Sequence, residues 1–422
     1  MSRLVLGTSV VTIPLLLVLS ACSGSSTPAA TPTSAASAIP SSGSSAILSA
    51  ASVTSCLSSP ASATGSPTVG PVRLDGTTKA ALQQSFERNF AIAFAGVQTP
   101  GAVAYVSVGD EEWISTIGVS NVDSQTPVDP EGHGRIGSIS KPFAATAVLD
   151  LVGDGKLTLD DTLGQYIPGI ANGETITIRQ LLSMSAGVWS YTSDSDLIAK
   201  FQSDPMTPWT IDQTIDLIRA HPAEYAPGEK VVYSDSNYVL LGRIIELVTG
   251  QPASEVIRTR VIEPLGLTGT QMPGDDQPGI PDPSLGSYMP VDGQLVAVPE
   301  VNPNFAWTAG AMTSTAADLA VFARELTDGT LLTPDLQAER LTIGQFDGVT
   351  IDAGYGLGLI KINDLVGHTG AINGGGASML RYPAQDATFV VLVNASSNFE
   401  NATDLIENGL IENLYPNQVS RR

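Results

Sequence analysis

Ser138 and Lys141, three residues apart in Ser138-Ile139-Ser140-Lys141-Pro142-Phe143, are the pair in this chain best suited to covalent chemistry. At the start of a helix, that spacing places both side chains one turn apart on one face. A serine hydroxyl is a weak nucleophile at its free pKa and needs a neighbouring base, which a desolvated lysine amine can be. The unpaired N–H groups and positive dipole end of a helix start also favour an oxyanion forming there. The pairing is unique: the other five lysines, Lys79, Lys156, Lys200, Lys230 and Lys361, have Gly, Gly, Leu, Pro and Gly at the matching position.

Two further stations carry suitable groups. In Val232-Tyr233-Ser234-Asp235-Ser236-Asn237, a tyrosine followed two residues later by a polar side chain can present both to one pocket from a loop. Tyr415-Pro416-Asn417 repeats that spacing beyond the last helical pattern and reads as a decoy. Near the end, Gly367-His368-Thr369-Gly370-Ala371 follows a strand-like run. A glycine there lets a ligand approach the backbone, and the N–H of Ala371 can act as a second oxyanion donor beside that of Ser138. The three histidines are scattered without carboxylate spacing, so no metal site is expected, and nothing points to a cofactor.

The elements that must hold these groups follow from periodicity. Leu82, Phe86, Phe90 and Phe94 recur every four residues and predict a helix from about Thr77 to Ala95, with Thr77 or Thr78 as cap. Gly101 to Val108 and Trp113 to Val119 flank Gly109-Asp110 as a hairpin. A helix is expected from Ser138 to Leu151, with Pro142 in its first turn. More helices are expected at Ile178 to Met184, Ile211 to Ala220, Tyr238 to Val248 and Ala316 to Leu326. Strand patterns return at Gly354 to Ile360, after Asn363 and at Thr388 to Val393, before a helix from Leu405 to Leu414. The predicted class is α+β: an antiparallel sheet covered by helices, with an all-helical lobe at about 138–330 inserted after the first strands. Ser138 then lies where the chain first crosses from sheet to helices, at the cleft that is the default site.

Taken in order, Ser138-x-x-Lys141, Tyr233-x-Asp235 and His368-Thr369-Gly370 resemble the three motifs of the serine β-lactamase and penicillin-binding protein superfamily. The chain is most similar to the branch of class C β-lactamases, D-alanyl-D-alanine carboxypeptidases and related esterases, over roughly residues 75 to 415. Ile176 to Leu182, Pro227-Gly228, Leu240-Leu241-Gly242, Pro264 to Leu267 and Ala309 to Met312 also look like this branch. The resemblance implies that Ser138 forms an acyl-enzyme and that Lys141 and Tyr233 share general-base work, with Tyr233 activating the water of deacylation. It further implies that the N–H groups of Ser138 and Ala371 form the oxyanion hole, and that His368 and Thr369 line the strand on which an acyl substrate lies. Two departures stand out. Asp235 replaces the motif's asparagine and offers only acceptors, so it should hold Lys141 protonated more firmly and weaken recognition of an acylamide. Ala371 lacks the hydroxyl that relatives use for a substrate carboxylate. Met184 and Ala186, where the branch tends to have His and Ser, read as packing drift. Three functions follow as expectations: a hydrolase of cell-wall peptide or related amides, including β-lactams; an esterase on small acyl esters; and a tethered binding or sensing module without turnover.

Ahead of the folded part, residues 1–21 carry one charge, Arg3, an apolar run and a small-residue end, as in a secretory signal. Leu19-Ser20-Ala21-Cys22 resembles the lipobox of bacterial lipoproteins, which implies lipidation at Cys22, a membrane partner held through acyl chains alone, and a location outside the cytoplasm. The alternative is an ordinary signal with an incidental cysteine. Residues 22–71 are Ser, Thr, Ala, Pro and Gly with no charge, a tether that includes Cys56. The hydrolase domain is expected over 72–416 and a tail over 417–422. The formal net charge of −22 argues against nucleic acid as partner. Asn394 and Asn401 fit glycosylation sequons, read as coincidental beside a bacterial signal.

Overall fold

A computed structural model of the protein describes residues 72–98, 100–274, 277–395 and 402–419. The expected signal, Cys22, the tether with Cys56 and the sequon at Asn401 lie outside these residues. Two stretches of the chain, front and back, build one nine-stranded antiparallel sheet. Its order is Thr126–Pro127, Glu111–Asn121, Gly101–Val108, Ala387–Val393, Gly375–Tyr382, Leu365–Ile372, Ile360–Ile362, Ala353–Tyr355, Gly344–Gln345. The last long strand lies beside the first, with Val103 opposite Leu392 and Tyr105 opposite Val390.

Alternation along these strands divides the core in two. Ala102, Ala104, Val106, Phe389, Val391 and Val393 pack with Leu82, Phe86, Ile406 and Leu410 from the terminal helices Gly76–Ala93 and Ala402–Leu414. Val103, Val390 and Leu392 point the other way, into a cluster with Phe143 and Phe322 from the helical lobe. Both faces of Ala387–Val393 are thus covered, which is why its sequence is an apolar run. The helix Ser140–Gly153 is buried almost all round, as expected for a helix apolar on every side, with the Phe143 ring stacked on Phe322 at 3.6 Å between centroids.

Several expected boundaries move for local reasons. The first helix is capped by Asp75, whose carboxylate accepts from the Thr78 amide at 2.8 Å, in place of Thr77 or Thr78. Gly354 to Ile360 forms two short strands, Ala353–Tyr355 and Ile360–Ile362, paired with each other. The turn between them is closed by Gly356 donating to the Leu359 carbonyl, and the Gly358 amide reaches the Leu182 carbonyl. The expected all-helical lobe also contains a small ribbon, Tyr288–Val291 with Gln294–Ala297, and its Thr313–Ser314 pairs with Gly134–Arg135 ahead of the lobe. Tyr415 packs edge-on against Phe389 and Tyr382 as core, and Gln418 in the expected tail bonds Asp364 and Tyr382. The Asn394 side chain is committed to Gly101, Val119 and Leu285, tying strands together.

Candidate active site

The turn that carries Ser138 is short and clamped. Gly137–Ile139 is a 3-10 turn and the α-helix begins at Ser140, so Ser138 stands just ahead of the helix and not on its first turn. The Ser140 hydroxyl donates to the Gly137 carbonyl at 2.8 Å and accepts from the Met312 amide at 3.0 Å, while Ile136 donates to the Met312 carbonyl. Beside this turn runs the strand Leu365–Ile372. Gly137 has φ +50°, and a Cβ there would stand 2.7 Å from the Ala371 nitrogen. A Cβ on Gly370 would stand 2.0 Å from the Ile136 carbonyl oxygen and 2.8 Å from the Ser138 nitrogen. Two glycines therefore let the backbone of this turn and that of the strand approach closely.

Lys141 is fully buried, and its Nζ lies 2.9 Å from Ser138 Oγ, 2.6 Å from Asp235 Oδ1 and 2.7 Å from the Ala309 carbonyl oxygen. The latter two partners only accept, so they take two N–H groups whatever the protonation state. The remaining position of Nζ faces Ser138, as an N–H in the ammonium and as the lone pair in the free amine. Burial lowers the Lys141 pKa, with the Asp235 charge pulling the other way. Asp235 thus opposes proton loss, as expected from its charge, and desolvation is the larger effect.

Asp235 Oδ2 accepts from Thr192 Oγ at 2.9 Å, and its own amide donates to Ser190 Oγ. The loop before it rests on Met184, whose sulfur accepts from the Ser234 amide and the Asn237 side chain. Met184 is packed in the core and also supports the second station. The Tyr233 ring lies 4.8 Å from Lys141 Nζ. Its buried hydroxyl makes no hydrogen bond among the described residues. Burial and then the Asp235 charge push the phenol pKa well above its ordinary value.

His368 is brought near but held neutral. Its Nδ1 donates to the Thr369 carbonyl, which leaves Nε2 to accept from the Tyr355 hydroxyl at 3.0 Å. Burial, followed by the Lys141 charge, pushes its pKa down to about 3. The ring should show no titration in histidine ¹⁵N NMR between pH 5 and 8. Because the unfolded chain binds this proton near pH 6.5, the contribution of His368 to stability is present above that pH and lost as pH falls toward about 3. A ring that titrates near 6.5 in the folded protein would contradict this burial.

Ser138, Lys141, Tyr233, Asp235, Gly370 and Ala371 therefore converge, with Thr369 on the same strand and the His368 ring 6.2 Å from that of Tyr233. Three contributors went unassigned in the sequence. Ala309, in a stretch that resembles the branch, acts through its carbonyl, and Thr192 acts through a hydroxyl with no motif of its own. Tyr355, in Gly354-Tyr355-Gly356, gave only a strand signal. Among the described residues there is no cluster of three metal-ligating side chains, and no helix long and apolar enough to cross a membrane.

Residues 86–412 match the model of the Beta-lactamase family. "Protein flp" of Staphylococcus aureus strain MRSA252 is 28% identical over 290 residues, 67% of this chain and 56% of that protein. A protein of Escherichia coli strain K12 named "Putative D-alanyl-D-alanine carboxypeptidase" is 34% identical over 178 residues, 40% of this chain and 38% of that protein. The chain thus spans about half or less of these curated relatives. Among solved structures, a D-stereospecific amidohydrolase from Streptomyces sp. is 33% identical with a TM-score of 0.70, covering 80% of this chain and 98% of that one. A D-amino acid amidase from Ochrobactrum anthropi SV3, complexed with L-phenylalanine amide, is 26% identical with a TM-score of 0.68, covering 81% and 99%. With the family match running through the first and last helices and the sheet, the chain belongs to the beta-lactamase family.

Proposed function

We propose that this chain is a serine hydrolase that cleaves the amide bond on the carbonyl side of a D-configured residue, through an acyl-enzyme on Ser138. The observation that carries the reading is Lys141 Nζ, buried and placed at 2.9 Å from Ser138 Oγ with its other hydrogens committed. In the free-amine form, Lys141 accepts the Ser138 proton as Oγ bonds to the substrate carbonyl carbon. The oxyanion faces the Ser138 and Ala371 N–H groups. When the C–N bond breaks, the leaving nitrogen takes a proton from the Tyr233 phenol, which Lys141 reprotonates. Water then attacks the ester, with Lys141 as base, and Ser138 recovers its proton. In this scheme Tyr233, whose phenol burial holds above its ordinary range, keeps its proton and serves as donor, and Lys141 is taken as the base of deacylation in place of Tyr233. Similarity to the Streptomyces amidohydrolase and to the D-amino acid amidase supports D-configured substrates. Similarity to the Escherichia coli protein supports D-alanyl peptides within the same class.

Intact mass after fluorophosphonate treatment should show one adduct on Ser138, abolished in Ser138→Ala. Hydrolysis of D-alanine p-nitroanilide should exceed that of the L-isomer. Labelling with turnover of nitrophenyl esters but of no amide would replace this reading with an esterase. No labelling would leave a non-catalytic binding module.

A further inference from the structure

The carboxylate of Asp235 combines three properties. It is next to the reaction centre, since a single nitrogen, Lys141 Nζ, links it at 2.6 Å to Ser138 Oγ at 2.9 Å. It is open, with 21% of its side chain exposed against none of Lys141. It can only accept, and its two oxygens hold one donor each here, Lys141 on Oδ1 and Thr192 on Oδ2, which leaves lone pairs unused. The other titratable groups in its field are Tyr191, Tyr233, Tyr355 and His368. Burial raises the three phenols and lowers the imidazole, so all four are uncharged at neutral pH. Lys141 and Asp235 are thus the charges at the centre.

A donor of positive charge suits such a carboxylate, and an acylamide carbonyl does not. In an aminoacyl substrate the α-nitrogen lies about 2.5 Å from the carbonyl carbon, two covalent bonds away. That is on the scale of the two contacts, 2.9 and 2.6 Å, that join Ser138 Oγ to Asp235 through Lys141 Nζ. The formal charge of −22 on the whole chain adds a field that gathers cations.

We propose that Asp235 binds the free α-ammonium of the substrate, so that the site takes aminoacyl amides with an unblocked amine and discriminates against N-acylated ones. This rests on the proposed amide hydrolysis at Ser138 and narrows it. The ammonium has a second effect. It shares the Asp235 charge that otherwise holds the Lys141 proton, so Lys141 releases that proton to water more readily and becomes the base when substrate is bound. Recognition and activation run through one carboxylate.

Comparison of kcat/KM for D-alanine p-nitroanilide and N-acetyl-D-alanine p-nitroanilide tests this on the full chain. The native protein should prefer the free amine at least about thirtyfold, in the range for a charged group paired in a partly desolvated site. Its kcat/KM should fall as pH rises through the substrate amine pKa, about 8. In Asp235→Asn the ratio should collapse to near one or reverse. The ratio cancels any general change in Ser138 reactivity. A native preference for the acetylated substrate, or a preference unchanged in Asp235→Asn, overturns the role of Asp235. Fluorophosphonate labelling of the same samples separates the two failures: labelled Ser138 without amine preference sinks this inference alone, and unlabelled Ser138 sinks the hydrolase reading with it.

Discussion

Lys141→Met is expected to lower kcat/KM by about a thousandfold, within the range for removal of a general base, while the protein stays folded. Methionine keeps the apolar stem and volume in a fully buried position but supplies no lone pair to Ser138. It also removes a buried charge and leaves Asp235 without its ion-pair partner. Asp235 is partly open to water and keeps Thr192, so the two effects on stability oppose each other, and the net change by urea unfolding should stay within about 2 kcal/mol. Lys141→Arg should be as inactive, because a guanidinium holds its proton at every working pH. The native protein should gain kcat/KM as pH rises through the lowered pKa of Lys141, and this limb should vanish in both variants. Activity within about tenfold of native in Lys141→Met would remove Lys141 from the reaction and leave Tyr233 as the base.

What could be read in advance divides along the range of the interactions. The Ser138 to Lys141 spacing is local, so a 3-10 turn running into a helix is enough to bring those groups together, and the unique occurrence of the pair gave it weight. The hairpin around Gly109-Asp110 and the apolar run Thr388 to Val393 were legible because strand signals reside in neighbouring residues. The contacts that define the electrostatics are distant in sequence: Lys141 to Asp235, Lys141 to the Ala309 carbonyl, and Asp235 to Thr192. No periodicity encodes them, and the resemblance to a family located Asp235 without giving its balance against desolvation. A backbone carbonyl such as that of Ala309 has no side-chain signature at all. Met184 shows a related limit: it packs in the core, and its further role as acceptor for Ser234 and Asn237 exists only once the loop is folded over it. The cap at Asp75 displaced Thr77 because several polar residues compete at a helix start and the geometry of the incoming chain selects among them.

Gly370→Ala is expected to cost at least about a hundredfold in kcat/KM, comparable to the loss of an oxyanion donor, with a change of only one methyl group. That methyl would stand 2.0 Å from the Ile136 carbonyl oxygen and 2.8 Å from the Ser138 nitrogen, and both are backbone atoms that cannot rotate away. The strand Leu365–Ile372 must then withdraw from the nucleophile turn, which separates the Ala371 N–H from the Ser138 N–H and tilts Ser138 relative to Lys141. Overpacking of this kind costs about 1–3 kcal/mol, so the protein should unfold at lower urea yet remain folded in buffer. Fluorophosphonate labelling should slow along with turnover, since the phosphonyl oxygen needs the same donors. Gly76→Ala serves as the control, because a Cβ there meets nothing within 4 Å, and it should leave labelling and turnover unchanged. Native turnover in Gly370→Ala would mean that the two backbones need not meet at that distance, and the oxyanion hole would have to be sought away from Ala371.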